Sequence, residues 1–134
     1  MAKPRILLAD DHEDLLVEIT ALLQGEFEVI GVARDGAALV NMAVHLNPDV
    51  VITDFDMPGL SGIGATCSLM ERGLCKAVVL LTMYADRHLV DVALQAGILG
   101  FVLKVKAGED LIPAIHGALR GETYVSSFGE SSMM

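Results

Sequence analysis

Charged and hydroxyl side chains stand at the ends of four apolar runs in this sequence. Asp10 and Asp11 follow the first run, Asp54 follows a later one, and Thr82 and Lys104 close the two runs after that. Carboxylates that converge need a proton or a cation, because two of them ~4 Å apart repel by about 4 kcal/mol at an effective dielectric near 20. A dense set of oxygen ligands suits a hard ion such as Mg2+. A metal-held carboxylate beside a lysine can also attack a phosphoryl group.

The elements that would bring these residues together follow from the hydrophobic pattern. Five short runs rich in Val, Ile and Leu span 5–9, 27–33, 49–53, 77–82 and 100–104, and helical periodicity marks 14–24, 37–46, 63–73, 87–97 and 109–121. Alternation in units of ~20–25 residues predicts a parallel sheet with helices on both faces. Parallel strands all end at the same edge of the sheet, where ligands bind in open α/β folds. The polar residues of the runs are therefore predicted to share one site.

Composition limits the classes of protein that fit. The 134 residues suffice for one hydrophobic core, and an apolar content of 53% suits a sheet buried on both faces. A formal net charge of −9 argues against direct nucleic-acid binding. No apolar stretch approaches the roughly 20 residues of a membrane span, and acids interrupt the N-terminal run too early for a signal peptide. We expect a cytoplasmic domain with no membrane contact, in which Cys67 and Cys75 are small buried thiols.

Four motifs together resemble the receiver domain of bacterial two-component response regulators. LLADDH (7–12), DFDMPGLSG (54–62), LLT (80–82) and GFVLK (100–104) occur in the order and spacing of that family. The resemblance covers roughly residues 4–122 and is specifically to NarL/FixJ (LuxR-type) receivers. It implies a flavodoxin-like (βα)5 fold, an α/β class with a five-stranded parallel sheet of strand order 2-1-3-4-5. We therefore expect a receiver domain over 1–122, and over 123–134 a C-terminal tail or the start of an interdomain linker.

The resemblance also implies how the acidic residues divide their work. Asp54 would be the phosphoacceptor and, with Asp11, would ligate Mg2+ through its side chain. Asp10 would hold a metal-bound water, and Asp56 would contribute its backbone carbonyl rather than its charge. His12 could be a ligand or a phosphate shuttle, but we expect it to be a polar residue at the start of the first helix.

The expected function is that of a signalling switch. A partner histidine kinase would donate a phosphoryl group to Asp54, and Thr82 and Lys104 would contact the phosphate. Thr82 and Phe101, which takes the place of the aromatic switch residue of the family, would shift the face formed by the fourth and fifth strands. The expected output is transcription through a helix-turn-helix domain outside this chain, with a homodimer formed on phosphorylation. Such a domain catalyses its own phosphorylation and dephosphorylation and is not a metabolic enzyme.

Two other functions compete with this one. A haloacid-dehalogenase-like phosphohydrolase also places an Asp-x-Asp after an apolar strand, here Asp54 and Asp56, with a Thr and a Lys at later strand ends. In that family the extra acidic pair follows the lysine, whereas Asp10 and Asp11 precede it, and this chain has no segment that could cap a substrate. The complete set of acids, Thr and Lys argues against a third reading, a pseudo-receiver that is never phosphorylated.

Overall fold

Strands and helices alternate along the chain. The computed structural model describes residues 2–57, 59 and 61–127. Its elements are β1 (Arg5–Ala9), α1 (Glu13–Leu23), β2 (Glu28–Ala33), α2 (Gly36–Leu46), β3 (Val50–Asp54), α3 (Gly62–Glu71), β4 (Ala77–Thr82), α4 (Arg87–Gln95), β5 (Gly100–Leu103), a 3-10 turn (Lys104–Lys106), α5 (Ala107–Leu119) and β6 (Tyr124–Val125). All ten predicted elements are present, with ends that differ by no more than two residues.

The strands form one parallel sheet in the order β2-β1-β3-β4-β5-β6. The predicted flavodoxin-like fold is confirmed, but the sheet has six strands and not five. The additional strand, β6, comes from the segment that the sequence predicted as a tail. Its backbone bonds to β5 and to the residue before it: the N–H of Tyr124 donates to the carbonyl of Leu99 at 2.9 Å, and the N–H of Ser126 to that of Phe101 at 2.8 Å.

The sheet is buried on both faces, as predicted. Helices α1 and α5 cover one face, and α2, α3 and α4 cover the other. All residues of β3 and β4 are buried, because side chains that point to opposite faces of these central strands both enter a core. This double burial explains why both strands are almost continuously apolar until they end in a polar residue.

Side chains cap three of the helices near the carboxyl edge of the sheet. The carboxylate of Asp35 accepts from the N–H of Ala38 at the start of α2, and the hydroxyl of Ser61 accepts from that of Gly64 in α3. The carboxylate of Asp86 caps α4 in the same way. Helix α1 is different, because its N-cap residue His12 makes no side-chain cap hydrogen bond. None of the helices in the described ranges is long and apolar enough to cross a membrane.

The two cysteines lie in different surroundings. Cys75 is buried, whereas Cys67 on α3 is exposed, so the prediction that both thiols are buried is wrong for Cys67. Burial raises the pKa of the Cys75 thiol. Helical periodicity places a residue on a helix, but a small side chain such as cysteine does not reveal which face it occupies.

Candidate functional site

The candidate site lies where the carboxyl ends of neighbouring strands meet. Asp10 directly follows β1, Asp54 is the last residue of β3, and Lys104 directly follows β5. The register of the sheet aligns these ends, since Ala9 of β1 pairs with Thr53 of β3. The convergence predicted from the parallel topology is therefore present.

Lys104 joins the two buried carboxylates. Its Nζ lies 3.1 Å from Oδ1 of Asp54 and 3.3 Å from Oδ2 of Asp10. The side chains of Asp10 and Asp54 are 0% and 3% exposed, and that of Lys104 is 14% exposed. Lys104 is the one ammonium or guanidinium group that forms ion pairs with these acids in the part of the chain that the structure describes. The pocket consequently carries excess negative charge.

Two carboxylate oxygens in the pocket lack a hydrogen bond. Oδ2 of Asp54 and Oδ2 of Asp10 are buried and have no hydrogen-bond partner among the described residues, although Lys104 is close enough to Asp10 for charge attraction. Burial raises the pKa of Asp54, and the charge of Asp10 raises it further, while Lys104 acts in the opposite direction. Buried polar atoms without partners are costly, so this pocket favours a further cation.

The donor atoms fit Mg2+. Carboxylate oxygens of Asp10, Asp11 and Asp54 and a ring nitrogen of His12 all lie within 4.8 Å of one another. Hard divalent ions bind carboxylate oxygens together with water molecules. The site offers three carboxylates, and one of them, that of Asp11, is exposed to solvent. The side chain of Asp56 is exposed and accepts from the hydroxyl of Tyr84 at 3.2 Å. The use of the Asp56 carbonyl as a ligand stays a prediction.

His12 lies at the start of α1, as predicted, and its ring also lies close to the acids. Its Nδ1 lies 2.9 Å from Oδ1 of Asp10 and 3.2 Å from Oδ1 of Asp11. The backbone N–H of His12 also donates to Oδ1 of Asp10 at 2.8 Å. The signal in the sequence was the position of a histidine immediately after two aspartates.

The two predicted switch residues occupy different places. Thr82 ends β4, the strand between β3 and β5, and it pairs with Leu103, the residue before Lys104. Its side chain is buried and its Oγ1 accepts from the N–H of Tyr84 at 3.0 Å. Phe101 is fully buried in the core cluster that also includes Val90 and Ala93 of α4. Their roles in switching stay predictions.

The start of α3 lies close to the end of β3. The N–H of Gly62 donates to the carbonyl of Phe55 at 3.1 Å, and the hydroxyl of Thr66 donates to the carbonyl of Gly62 at 2.8 Å. Gly62 approaches the backbone of Asp54 so closely that an added Cβ would overlap the Asp54 carbonyl oxygen. A glycine at this position allows α3 to start directly against the end of β3. Residues 58 and 60, which belong to the predicted motif 54–62, lie outside the described residues.

The fold and the pocket together define a flavodoxin-like protein with an acidic, lysine-containing site at the carboxyl edge of its sheet. The model of the response regulator receiver domain matches residues 6–116. The chain therefore belongs to the response regulator receiver family. This membership confirms the resemblance and places the chain among signalling proteins of two-component systems rather than metabolic enzymes.

Relatives narrow the placement to the NarL/FixJ (LuxR-type) group. The transcriptional regulatory protein LiaR of Bacillus subtilis is 37% identical over 125 residues, which cover 92% of this chain and 59% of LiaR. The nitrate/nitrite response regulator protein NarL of Escherichia coli K12 is 33% identical over 123 residues, which cover 90% of this chain and 57% of NarL. The chain thus spans less than three fifths of the length of these relatives.

Solved receiver structures show the same architecture. The signal receiver domain of the putative response regulator NarL from Mycobacterium tuberculosis superposes with a TM-score of 0.85 at 28% identity, covering 91% of this chain and 100% of that domain. The isolated REC domain of RcsB from Salmonella enterica serovar Typhimurium, with the phosphomimetic BeF3−, gives a TM-score of 0.83 at 28% identity, covering 93% and 94%.

Proposed function

We propose that this chain is a switch that accepts a phosphoryl group from a histidine kinase on Asp54. The observation that carries the proposal is the asymmetry of the Asp54 carboxylate. Oδ1 lies 3.1 Å from the ammonium of Lys104, whereas Oδ2 is buried without a hydrogen-bond partner among the described residues. An oxygen with unengaged lone pairs beside a fixed cation is suited to nucleophilic attack on phosphorus. The raised pKa of Asp54 is consistent with a carboxylate that is poorly stabilised before the reaction.

The transfer exchanges one bond for another. The Asp54 oxygen attacks the phosphorus of the phosphohistidine, an O–P bond forms and the P–N bond breaks. The bonding electron pair leaves on the imidazole nitrogen of the donor, and Asp54 becomes an acyl phosphate. Lys104, together with the Thr82 hydroxyl, offsets the charge of the phosphoryl oxygens.

Mg2+ is the proposed cofactor of this site. Asp11 and Asp54 would hold it through their side chains, Asp10 through a water and Asp56 through its carbonyl. When bound, the ion would supply positive charge for the transferring phosphoryl group. The two buried oxygens without hydrogen bonds and the shortage of positive charge in the pocket support its presence.

The response to phosphorylation is proposed to run through β4 and β5. A phosphoryl group on Asp54 would attract both Thr82, which ends β4, and Lys104, which follows Leu103, the β5 residue that pairs with Thr82. Changing the ratio of two conformations from 1:99 to 99:1 requires that the phosphoryl group favour one of them by about 5.5 kcal/mol. A new charge-assisted contact from a lysine can supply part of this free energy. The buried ring of Phe101, which lies in β5, would move when this strand shifts.

The output is proposed to be transcription through a helix-turn-helix domain outside this chain, with homodimerisation on phosphorylation. LiaR, one of these relatives, is a transcriptional regulatory protein, and both LiaR and NarL are longer than this chain. A similar structure is that of two RcsB dimers bound to two parallel DNAs, with a TM-score of 0.83, 28% identity and coverage of 93% of this chain and 65% of that chain. The receiver would occupy 1–122 and an interdomain linker would begin within 123–134, its first residues adding β6. The cytoplasmic location stays a prediction.

Incubation with a small acyl phosphate and Mg2+ tests the proposal. We expect a stoichiometric phosphoprotein, visible as a single mass increment, that is absent in Asp54→Asn and unchanged in the matched control Asp91→Asn, an exposed acid on α4. Continuous hydrolysis of a phosphate ester without a stable phosphoprotein would instead support the phosphohydrolase.

A further inference from the structure

The imidazole of His12 faces the acidic pocket, although a residue at this position could instead cap a helix. His12 is the N-cap of α1, where a side chain usually accepts a hydrogen bond from the helix, and it makes none. Its Nδ1 lies 2.9 Å from Oδ1 of Asp10 and 3.2 Å from Oδ1 of Asp11. The ring therefore adds a nitrogen donor to a group of carboxylates that lie within 4.8 Å of one another.

An independent observation indicates that these carboxylates carry unmatched polar atoms. The carboxylate of Asp54 is 3% exposed, and its Oδ2 has no hydrogen bond among the described residues. The side chain of Asp10 is fully buried, and its Oδ2 also has no hydrogen bond among the described residues, although the ammonium of Lys104 is nearby. Buried carboxylate oxygens of this kind are normally paired or bound to a metal.

We propose that His12 is a metal ligand through Nδ1 and that it raises the affinity of the site for Co2+, Ni2+ and Zn2+ relative to Mg2+. The inference rests on the proposed function, since the carboxylates are those proposed to hold Mg2+. Mg2+ prefers oxygen ligands and keeps several waters, whereas imidazole nitrogen suits the later divalent ions. A site of three carboxylates alone would show a smaller preference for those ions.

The spacing of the donors supports direct ligation. Two ligand atoms that are each about 2.1 Å from one ion, at right angles, lie about 3 Å apart. The distance of 3.2 Å from Nδ1 to Oδ1 of Asp11, the acid proposed to hold the ion directly, matches that spacing, while Oδ1 of Asp10 lies within hydrogen-bond distance of Nδ1 at 2.9 Å. The neutral imidazole with its proton on Nε2 presents the Nδ1 lone pair to the ion, so ligation requires only the change of tautomer.

Separate titrations of the metal-free chain with Mg2+ and Co2+ test the inference. Loss of an imidazole ligand should lower the Co2+ affinity of His12→Asn by about 10-fold or more, since changing even an outer-shell partner costs about 10–100-fold. The Mg2+ affinity of this variant should stay within about 2-fold. His45→Asn, which changes a histidine on α2 whose ring contacts the Asn41 carbonyl, is the matched control and should alter neither affinity.

A spectroscopic readout makes the test independent of how the variant folds. In the wild-type chain loaded with Co2+, we expect contact-shifted imidazole proton resonances that disappear when excess Mg2+ displaces the ion. If these resonances are absent, or if His12→Asn binds Co2+ as tightly as wild type, His12 is no ligand and the inference is overturned, while Mg2+ binding leaves the proposed function standing. If the wild-type chain binds neither ion, the metal site of the proposed function is wrong as well.

Discussion

Replacing Gly62 with alanine tests whether the backbone behind Asp54 is as tightly packed as the structure indicates. An added Cβ would overlap the Asp54 carbonyl oxygen, with the Asp54 carbonyl carbon at 3.0 Å and the Cα of Phe55 at 3.2 Å. All three obstacles are backbone atoms, so no side-chain rotation relieves the overlap. Gly62→Ala must therefore move the end of β3, which carries Asp54, or the start of α3.

The expected cost follows from known effects of overpacking. Forcing a methyl group into a packed site costs about 1–3 kcal/mol and at times more, whereas alanine in a helix gains at most about 1 kcal/mol over glycine. We expect Gly62→Ala to lower the free energy of unfolding by about 1–3 kcal/mol. A misplacement approaching 1 Å can lower a reaction rate by about 10²-fold, so phosphorylation of Asp54 should slow by about 10- to 100-fold.

Gly108→Ala is the matched control for this prediction. Gly108 also lies in the first turn of a helix, α5, but a Cβ there would meet no heavy atom within 4 Å. Its substitution should leave the chain as stable as wild type or up to about 1 kcal/mol more stable. Urea denaturation gives the stabilities, and mass spectrometry after timed incubation with an acyl phosphate gives the rates. Equal results for the two variants in both assays would refute the argument from backbone contact.

Three further predictions concern other contacts of the fold. Lys104→Met should lower the free energy of unfolding without metal by about 3 kcal/mol, because two buried carboxylates lose their ammonium; denaturation in the presence of Mg2+ should recover part of the loss. Iodoacetamide near neutral pH should alkylate Cys67 in the folded chain and Cys75 only after unfolding, because burial both shields the Cys75 thiol and raises its pKa; peptide mass spectrometry distinguishes the two sites. Asp110→Asn should bring the pKa of Tyr124 down towards its ordinary value, because the hydrogen bond from the tyrosine hydroxyl to the carboxylate raises it; an ultraviolet titration in which the phenol ionises at the same pH in both proteins would contradict this.

Some of the site was predictable because it follows from topology. Once the apolar runs are parallel strands, Asp10, Asp54 and Lys104 must meet at one edge, whatever the family. The orientation of His12 was not predictable in this way, because residue type at an N-cap does not determine whether the side chain caps the helix or turns towards neighbouring acids. That choice depends on the Asp10 carboxylate, which accepts from both the backbone and the ring of His12.

The sixth strand escaped prediction for a different reason. Two residues, Tyr124 and Val125, are too few to show an alternating pattern, and the contacts that hold them come from distant parts of the chain. The carboxylate of Asp110 in α5 accepts from the hydroxyl of Tyr124 and from that of Ser126, each at 2.7 Å. Such long-range contacts leave no local signature in the sequence.

The contacts of Ser126 connect the end of the sheet to the pocket. Its Oγ accepts from the N–H of Leu103 at 3.1 Å, and its own N–H donates to the carbonyl of Phe101 at 2.8 Å. Leu103 directly precedes Lys104, so the segment that follows β6 is hydrogen-bonded to the strand that carries the ammonium. Asp54 ends β3, a strand that, like β5, is buried on both faces and paired on both sides. The pocket thus combines a nucleophile held by β3, in the middle of the sheet, with a cation held by β5, whose end is hydrogen-bonded to the segment that follows the edge strand β6.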